Sequence, residues 1–504
     1  MNSRMISAFF ALLSLVGLGA ILLSVAAKGQ AQFGQPAPYL IKDINPTGDA
    51  YPNTFITLND QLYFFANNGQ NRTLWVSNGL SDDTRMVNDI YPDGDGTGPG
   101  IYPRIVEVIG NTIYFSVSEG GDSHNELWKS DGTEAGTELV KRFDGQSIER
   151  MAHLGTVLYL VMYRGSNAAV SLWRSDGTST GTQEVLGTFS RIRVLFEFEG
   201  KLYLDVGGAS SGETKNIWTV SGDTMVPAFF VDRLEDTIVY QDAIYYSTQS
   251  TLWKSDGTGE NREKILDFNQ IGYNITSMTV HQGTLYFSVG FANLWKSDGT
   301  PAGTMQIASY PYAINAFLSH NGLLYFTTSD HSGTNRIGIT DGNITGTVPF
   351  PPATTFDSAS QLTAFDGFVY FFGGERNRVE LWRTDNTESG TKRILDITSD
   401  IGETNFYQCP CMAVAGDRLF VTAQTATGVE LWAVPAEQTS TPTPTKTPTS
   451  APTSTATATA TATPVQVQTV TATPTLVPTR IPEQTATPIS HISEEIFLPL
   501  IANQ

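Results

Sequence analysis

A twelve-residue stretch, Glu126-Leu-Trp-Lys-Ser-Asp-Gly-Thr-Glu-Ala-Gly-Thr137, recurs along the chain and limits its possible folds more than any other feature. Further copies begin at Leu172, Leu252, Leu294 and Leu381. Weaker copies are read at Leu74-Trp75, Ile217-Trp218, Gly338-Ile339 and Leu431-Trp432. All eight tryptophans occupy one position of the repeat: Trp75, Trp128, Trp173, Trp218, Trp253, Trp295, Trp382 and Trp432. A residue type confined to one repeat position indicates a structural role.

A second pattern, a Leu-Tyr-Phe strand after a short turn, precedes each copy. Its centres are Tyr63, Tyr114, Tyr159, Tyr203, Tyr245, Tyr286, Tyr325, Tyr370 and Phe420. With the segments around it, each unit has four short strands, A to D, and almost no helical periodicity. Neighbouring side chains of a strand point to opposite faces, so Leu127 and Trp128 make both faces of their sheet apolar. Such a sheet must be covered on both faces, and radially stacked blades of about 40–45 residues achieve this.

The two ends of the repeat region predict closure of a ring. Residues 40–44 resemble a strand D without its blade, and residues 429–433 a strand C without its partner. We therefore expect an all-β fold, a single β-propeller of about nine four-stranded blades, closed by the N-terminal strand. Nine exceeds the usual four to eight blades, so seven or eight are the alternatives. The units around Trp218 and Ile339 are then the candidates to lie outside the ring.

Composition divides the chain into four parts. Residues 1–31 contain an apolar run after Arg4, typical of a signal peptide or an N-terminal anchor. Residues 38–435 carry the repeats. Residues 436–490, rich in Thr, Pro and Ala, predict a disordered stalk, and 491–504 form a short apolar tail. The expected location is therefore secreted or cell-surface.

Charge and motifs exclude several classes of function. The net charge of −20 argues against nucleic-acid binding, and membrane contact is expected only through residues 1–31. A monomer without a cofactor is predicted. Calcium at Asp93 and Asp95 is the alternative to a plain turn, and the recurring Asp131 and its equivalents are expected to cap turns. Cys409 and Cys411 are predicted either to form a disulfide or to remain as two free thiols.

The repeats resemble the bacterial ELWxxDGTxxGT family of exported proteins. The match at 126–137 is complete, that at 294–304 departs only in Asn293, and the likeness spans roughly residues 40–434. The resemblance implies a β-propeller, export and a surface location. It implies no catalytic residues.

Strand alternation predicts where a ligand binds. The A–B and C–D turns are uniform, whereas the B–C and D–A loops vary and must share the opposite face. Candidate ligand-binding residues on that face are Asp93, Asp95, Tyr102, His124, Tyr163, Arg164, Asp330, His331, Arg376 and Tyr407. No nucleophile elbow, phosphate-binding loop or zinc-protease motif occurs. The favoured function is therefore non-enzymatic binding or adhesion to an extracellular glycan or protein, with a hydrolase or lyase acting on an extracellular polymer as the alternative.

Overall fold

The structure is a computed structural model. It describes residues 37–90, 106–117, 125–165, 169–207, 216–222, 224–232, 234–248, 250–268, 274–290, 292–310, 313–329, 335–344, 348–349, 358–374, 379–397, 411–425 and 428–437. The predicted signal peptide, the tail and the stalk beyond residue 437 lie outside the described residues. So does Cys409.

Thirty-six strands occur in the described residues. The first eighteen are β1 (Tyr39–Lys42), β2 (Asn53–Leu58), β3 (Gln61–Asn67), β4 (Arg72–Ser77), β5 (Arg85–Asn88), β6 (Val106–Ile109), β7 (Thr112–Val117), β8 (Glu126–Ser130), β9 (Glu138–Arg142), β10 (Ser147–Leu154), β11 (Val157–Arg164), β12 (Ala169–Ser175), β13 (Gln183–Phe189), β14 (Arg191–Phe198), β15 (Lys201–Gly207), β16 (Ile217–Ser221), β17 (Thr224–Phe229) and β18 (Leu234–Tyr240). The others are β19 (Ala243–Thr248), β20 (Thr251–Ser255), β21 (Arg262–Asp267), β22 (Ile275–His281), β23 (Thr284–Val289), β24 (Asn293–Ser297), β25 (Met305–Ser309), β26 (Ala313–His320), β27 (Leu323–Ser329), β28 (Asn335–Thr340), β29 (Val348–Pro349), β30 (Ser358–Phe365), β31 (Phe368–Gly374), β32 (Glu380–Thr384), β33 (Lys392–Asp396), β34 (Met412–Ala415), β35 (Arg418–Thr425) and β36 (Gly428–Pro435).

These strands form nine four-stranded antiparallel sheets, the blades of a β-propeller. Blades 1 to 8 are successive meanders, beginning with β2–β5 and ending with β30–β33. Blade 9 has the order β1-β36-β35-β34, in which Tyr39 pairs with Ala433 and Leu40 with Trp432. The predicted closure by the N-terminal strand is therefore confirmed. Nine blades are present, and the units around Trp218 and Ile339 belong to the ring.

The repeated Leu-Trp pair joins each blade to both of its neighbours. Leu127 is fully buried against blade 3, whereas Trp128 packs on the apolar cluster between blades 1 and 2. The other copies repeat this division, and nine apolar clusters lie at the nine junctions. The expectation that the two side chains face opposite ways is correct. The leucines are the more deeply buried partners, because every tryptophan except Trp75 keeps part of its ring exposed.

The tyrosine of one blade and the glycine of the next fit together. Gly132 has a φ of 87°, and a Cβ there would overlap the hydroxyl of Tyr63 in the preceding blade. Tyr159 similarly donates a hydrogen bond of 2.9 Å to the carbonyl of Gly222. The glycine is thus required both by its left-handed backbone and by the side chain that packs on it.

The Asp-Gly-Thr turn is closed by its own side chains. Asp131 Oδ1 accepts hydrogen bonds from the amide and hydroxyl of Thr133, at 2.9 and 2.7 Å. These bonds lower the pKa of Asp131. Thr133 Oγ1 accepts from the Gly136 amide, and Thr137 Oγ1 donates to the Thr133 carbonyl. The aspartates at 176, 298 and 385 make the same pair of threonine contacts, so the prediction of turn capping is confirmed at these positions.

In blade 7, the residue at the tryptophan position of the repeat differs from the one predicted from the sequence. Phe326 pairs with Gly338, as Phe287 pairs with Trp295 in blade 6, so Gly338 occupies the tryptophan position. The equivalence of Gly338-Ile339 to Leu-Trp was wrong by one residue. A Cβ at Gly338 would overlap the ring of Phe326, which lies in the cluster that the tryptophan would otherwise fill.

The glutamate that opens the repeat has a different role in the closing blade. Buried Glu126 accepts a hydrogen bond of 2.8 Å from the Trp128 indole and pairs with Arg142. Buried Glu430 instead accepts a bond of 3.1 Å from the amide of Ile44, just after β1. Burial raises the pKa of Glu430 to about 7. The same motif residue thus holds the closing strand in place.

Candidate binding face

The strand directions define two faces of the propeller. The turn face carries the A–B and C–D turns, for example Asp131–Thr137. The loop face carries the B–C and D–A connections. The described chain leaves the propeller on the turn face: Ala436 N donates to the carbonyl of Asp417, and Glu437 forms an ion pair of 2.7 Å with buried Arg383. Tyr39, at the other end, donates to the carbonyl of Gly79 on the same face.

Two of the ten predicted ligand-binding residues lie in the described part of the chain. Tyr163 and Arg164 end β11 on the loop face, and Tyr163 packs partly into the cluster between blades 3 and 4. Arg164 Nη2 pairs with Glu184 Oε2 at 2.6 Å, so this cation is engaged within its own blade. The remaining eight lie outside the described residues: Asp93, Asp95, Tyr102, His124, Asp330, His331, Arg376 and Tyr407.

An open cleft of about 290 Å³ lies on the loop face between blades 4 and 5. Its lining residues come from strand ends that point to this face: Arg191, Arg193, Asp205, Asn216, Leu234 and Glu235. None of them was among the sequence candidates. The cleft is therefore a site that only the tertiary structure brings together.

A buried carboxylate organises the cleft. Asp205 is 1% exposed and accepts hydrogen bonds from Arg191 Nη2 at 3.0 Å and Arg193 Nη2 at 2.8 Å. Arg193 Nε also donates to it, at 3.1 Å, and Arg193 Nη2 reaches the carbonyl of Leu234 in blade 5. Asn216 donates to Asp205 and exchanges two hydrogen bonds with Val231. These contacts fix both guanidinium groups.

Local sequence explains how the arginines reach one carboxylate. Arg191 and Arg193 are two residues apart on β14, so both side chains lie on one face of the strand. Arg193 pairs directly with Asp205 of β15, and Arg191 pairs with Gly207. Ser116 and Ser288 occupy the position of Asp205 in blades 2 and 6. A charged residue at this otherwise uncharged position was the available signal in the sequence.

The cleft presents hydrogen-bond donors to solvent. The side chains of Arg191 and Arg193 remain 54% and 39% exposed, although both contact Asp205. A guanidinium carries five N–H donors, so neither the contacts of Arg191 through Nη2 nor the three hydrogen bonds of Arg193 exhaust it. Asp205 is enclosed by cations, an arrangement that does not suit a general base, since a base must reach its substrate. The geometry supports binding of an acceptor-rich ligand.

A second polar pair joins the inner strands of blades 2 and 3. His153 Nδ1 and Glu107 Oε1 are 2.5 Å apart. Burial raises the pKa of Glu107, and the hydrogen bond with His153 opposes that rise. Both partners lie on first strands, which adjoin one another between neighbouring blades. The pair therefore connects two blades at their inner edge.

The described residues contain neither a metal-binding cluster nor a membrane-spanning helix. No group of three or more His, Cys, Asp or Glu side chains there is arranged to hold a metal ion. The same ranges contain no helix with the length and apolar character needed to cross a membrane. The calcium alternative at Asp93 and Asp95 falls outside them.

No protein-family model matches the chain, and comparison with curated proteins finds no match. Among solved structures, the chain is similar to a prolyl endopeptidase, with 11% identity and a TM-score of 0.45, covering 76% of this chain and 55% of that one. It is similar to the computationally designed Ika8 protein, with 11% identity, a TM-score of 0.40, and coverage of 72% and 100%. It also resembles apo AztD from Citrobacter koseri, with 11% identity, a TM-score of 0.38, and coverage of 67% and 92%. The chain thus spans about half the length of the endopeptidase, and at these scores the likenesses carry no argument about activity.

The class of the protein follows from its own sheet topology: it is a nine-bladed β-propeller closed by its N-terminal strand.

Proposed function

We propose that this protein is an exported, surface-displayed, non-enzymatic binding propeller that recognises a glycan or a protein through its loop face. The observation that carries this proposal is the cleft between blades 4 and 5, where Asp205 holds two exposed arginines in fixed positions. Fixed donors reduce the entropy lost when a ligand binds. Specificity on a repetitive scaffold also resides in its non-repeated residues.

The route of the chain supports display of the loop face. Tyr39 and Glu437 both lie on the turn face. The described residues therefore begin and end on the face opposite the cleft. Export and surface attachment are proposed from the apolar N-terminal run and the Thr/Pro segment.

The test is a glycan and protein array probed with the full chain. We expect Arg191→Ala to weaken the strongest interaction found at least about tenfold, since hydrogen bonds to charged groups contribute about 1.5–3 kcal/mol. Glu134→Ala and Ser179→Ala, on the turn face, are the matched controls and should leave it unchanged. Loss of binding only from the turn-face variants would contradict the proposal. Release of fragments from a bound polymer would replace it with the hydrolase or lyase alternative.

A further inference from the structure

We infer that the cleft between blades 4 and 5 binds the carboxylate of an acidic sugar, such as a uronic acid unit within an extracellular polysaccharide. This inference rests on the proposed binding function and specifies its ligand. It depends on the geometry of Arg191 and Arg193, on the charges around them, and on the other residues that line the cleft.

The two guanidinium groups form a receptor for a planar anion. Asp205 accepts hydrogen bonds from Nη2 of Arg191 and from both Nε and Nη2 of Arg193. Arg191 therefore keeps Nε and Nη1 for a ligand, whereas Arg193 keeps Nη1, because its Nη2 also donates to the Leu234 carbonyl. A guanidinium matches a carboxylate through paired, roughly parallel hydrogen bonds. Asp205 also lines the cleft but is 1% exposed, so the arginines, at 54% and 39%, present far more of their charge to a ligand than it does.

The surrounding charges limit how many negative groups the ligand carries here. Glu235 lines the same cleft, and the whole chain has a net charge of −20. The four charged lining residues sum to zero, two arginines against Asp205 and Glu235. A densely charged polymer would place neighbouring anions near Glu235 at a repulsive cost. One carboxylate among uncharged groups fits better than a polysulfate or a polyphosphate.

The remaining lining residues favour a sugar over an acidic peptide. Glu235 lines the cleft with a carboxylate, a group that accepts hydrogen bonds from hydroxyls, whereas Leu234 is only 8% exposed and adds little apolar surface. A uronic acid presents a carboxylate, several hydroxyls and C–H faces on one ring. An aspartate or glutamate side chain presents a carboxylate without the ring of hydroxyl groups that a sugar carries around it. The volume of about 290 Å³ lies at the lower end for small-molecule sites and suits a short segment.

The experiment is calorimetric titration of the full chain with an oligosaccharide that carries one glucuronate unit among neutral sugars. Its methyl ester, which removes only the charge, is the paired ligand, with polyglutamate and dextran sulfate as competitors. We expect binding that weakens at least about tenfold on methyl esterification and at least about tenfold in Arg191→Ala. Arg191→Lys should recover part of the loss, since it restores the charge without the planar fork. Arg393→Ala, which removes an ion-paired arginine of blade 8 that is 52% exposed, is the matched control and should change the affinity less than about twofold.

Three results would overturn the inference: equal affinity for the ester, equal affinity of Arg191→Ala, or tighter binding of either competitor. The ester comparison uses the unaltered chain, so it stands even if a variant fails to fold. An array ligand that is not an acidic sugar, but is weakened by loop-face changes, would overturn this inference and leave the proposed function intact. Cleavage of the bound glucuronate oligosaccharide would overturn the proposed non-enzymatic function and leave this inference intact.

Discussion

The Asp-Gly-Thr turns and the cleft between blades 4 and 5 use polar residues in opposite ways. In the turn of blade 2, Asp131, Thr133 and Thr137 satisfy one another, and the sequence recurs around the ring. In the cleft, Asp205 occurs once and leaves two arginines half-exposed. Repeated polar residues therefore build the scaffold of this protein, whereas a ligand must be recognised by residues that break the repeat. Substitutions in the two regions should accordingly affect stability and binding differently.

The largest effect is expected from the repeat tryptophan. Trp128→Ala should lower the free energy of unfolding by about 3–5 kcal/mol, because it empties space at the junction of blades 1 and 2. Leu139→Ala is the control: Leu139 pairs with Trp128 across the sheet but is 42% exposed, and should cost less than about 1 kcal/mol. Denaturant unfolding measures both. Equal stability of Trp128→Ala and the unaltered chain would remove the structural role of the motif.

The next effect concerns the closing blade and pH. Glu430 has a pKa of about 7 in the folded state against 4.5 ordinarily, so the folded protein binds more protons than the unfolded chain between these values. Stability from this group therefore falls as pH rises from about 4.5 to about 7, by about 3 kcal/mol in all. Glu430→Gln cannot ionise and should gain that much relative to the unaltered chain between pH 4.5 and 8. A difference between the two proteins that stays constant with pH would contradict this account.

A smaller effect separates two glycines with left-handed backbone. Gly132→Ala adds a Cβ that overlaps Tyr63, whereas Gly110→Ala meets no atom within 4 Å. Both have a positive φ, so both lose about 1 kcal/mol of stability from strain. The overlap should cost Gly132→Ala roughly 1–3 kcal/mol more. Thermal unfolding of the pair tests this, and equal losses would show that Tyr63 yields without cost.

The smallest effect on stability is expected in the cleft. Arg191→Ala should change the free energy of unfolding by less than about 0.5 kcal/mol, since its side chain is 54% exposed and Arg193 still neutralises Asp205. Chemical denaturation measures this value beside the loss of ligand affinity. A loss of stability as large as that of Trp128→Ala would place Arg191 in the scaffold and abolish the contrast between the two regions.

Much of the fold could be predicted from the sequence, because most repeats show the same pattern of strands and turns. Leu127 and Trp128 make both faces of their sheet apolar, so both faces must be covered by neighbouring blades. The strands at 40–44 and 429–433 each lack a partner in their own unit, so they are expected to pair with each other. The degraded copy at Gly338 was misplaced by one residue, since the missing tryptophan removed the landmark. The structure restores the register through the pairing of Gly338 with Phe326.

The site was far less predictable. Tyr163 and Arg164 are candidates because an aromatic and a charged side chain lie beside a variable loop. In the structure, Arg164 forms an ion pair with Glu184. The sequence does not single out Arg191 and Arg193, because nothing in their own segment shows that Asp205 faces them. A scan for motifs also ignores residues that occur once, and these are the residues that form the cleft.

The sequence by itself determined the all-β class, the repeating four-stranded unit, the cause of ring closure and the structural role of the tryptophans. These properties depend on side-chain alternation and on contacts between adjacent repeats, and short stretches of the sequence determine both. Only the tertiary structure decided that nine blades close the ring, that Glu430 fastens the closing strand, and that Arg193 of blade 4 reaches Leu234 of blade 5 across a cleft. Such contacts depend on the angle and distance between blades, which are set by the packing of all nine junctions together.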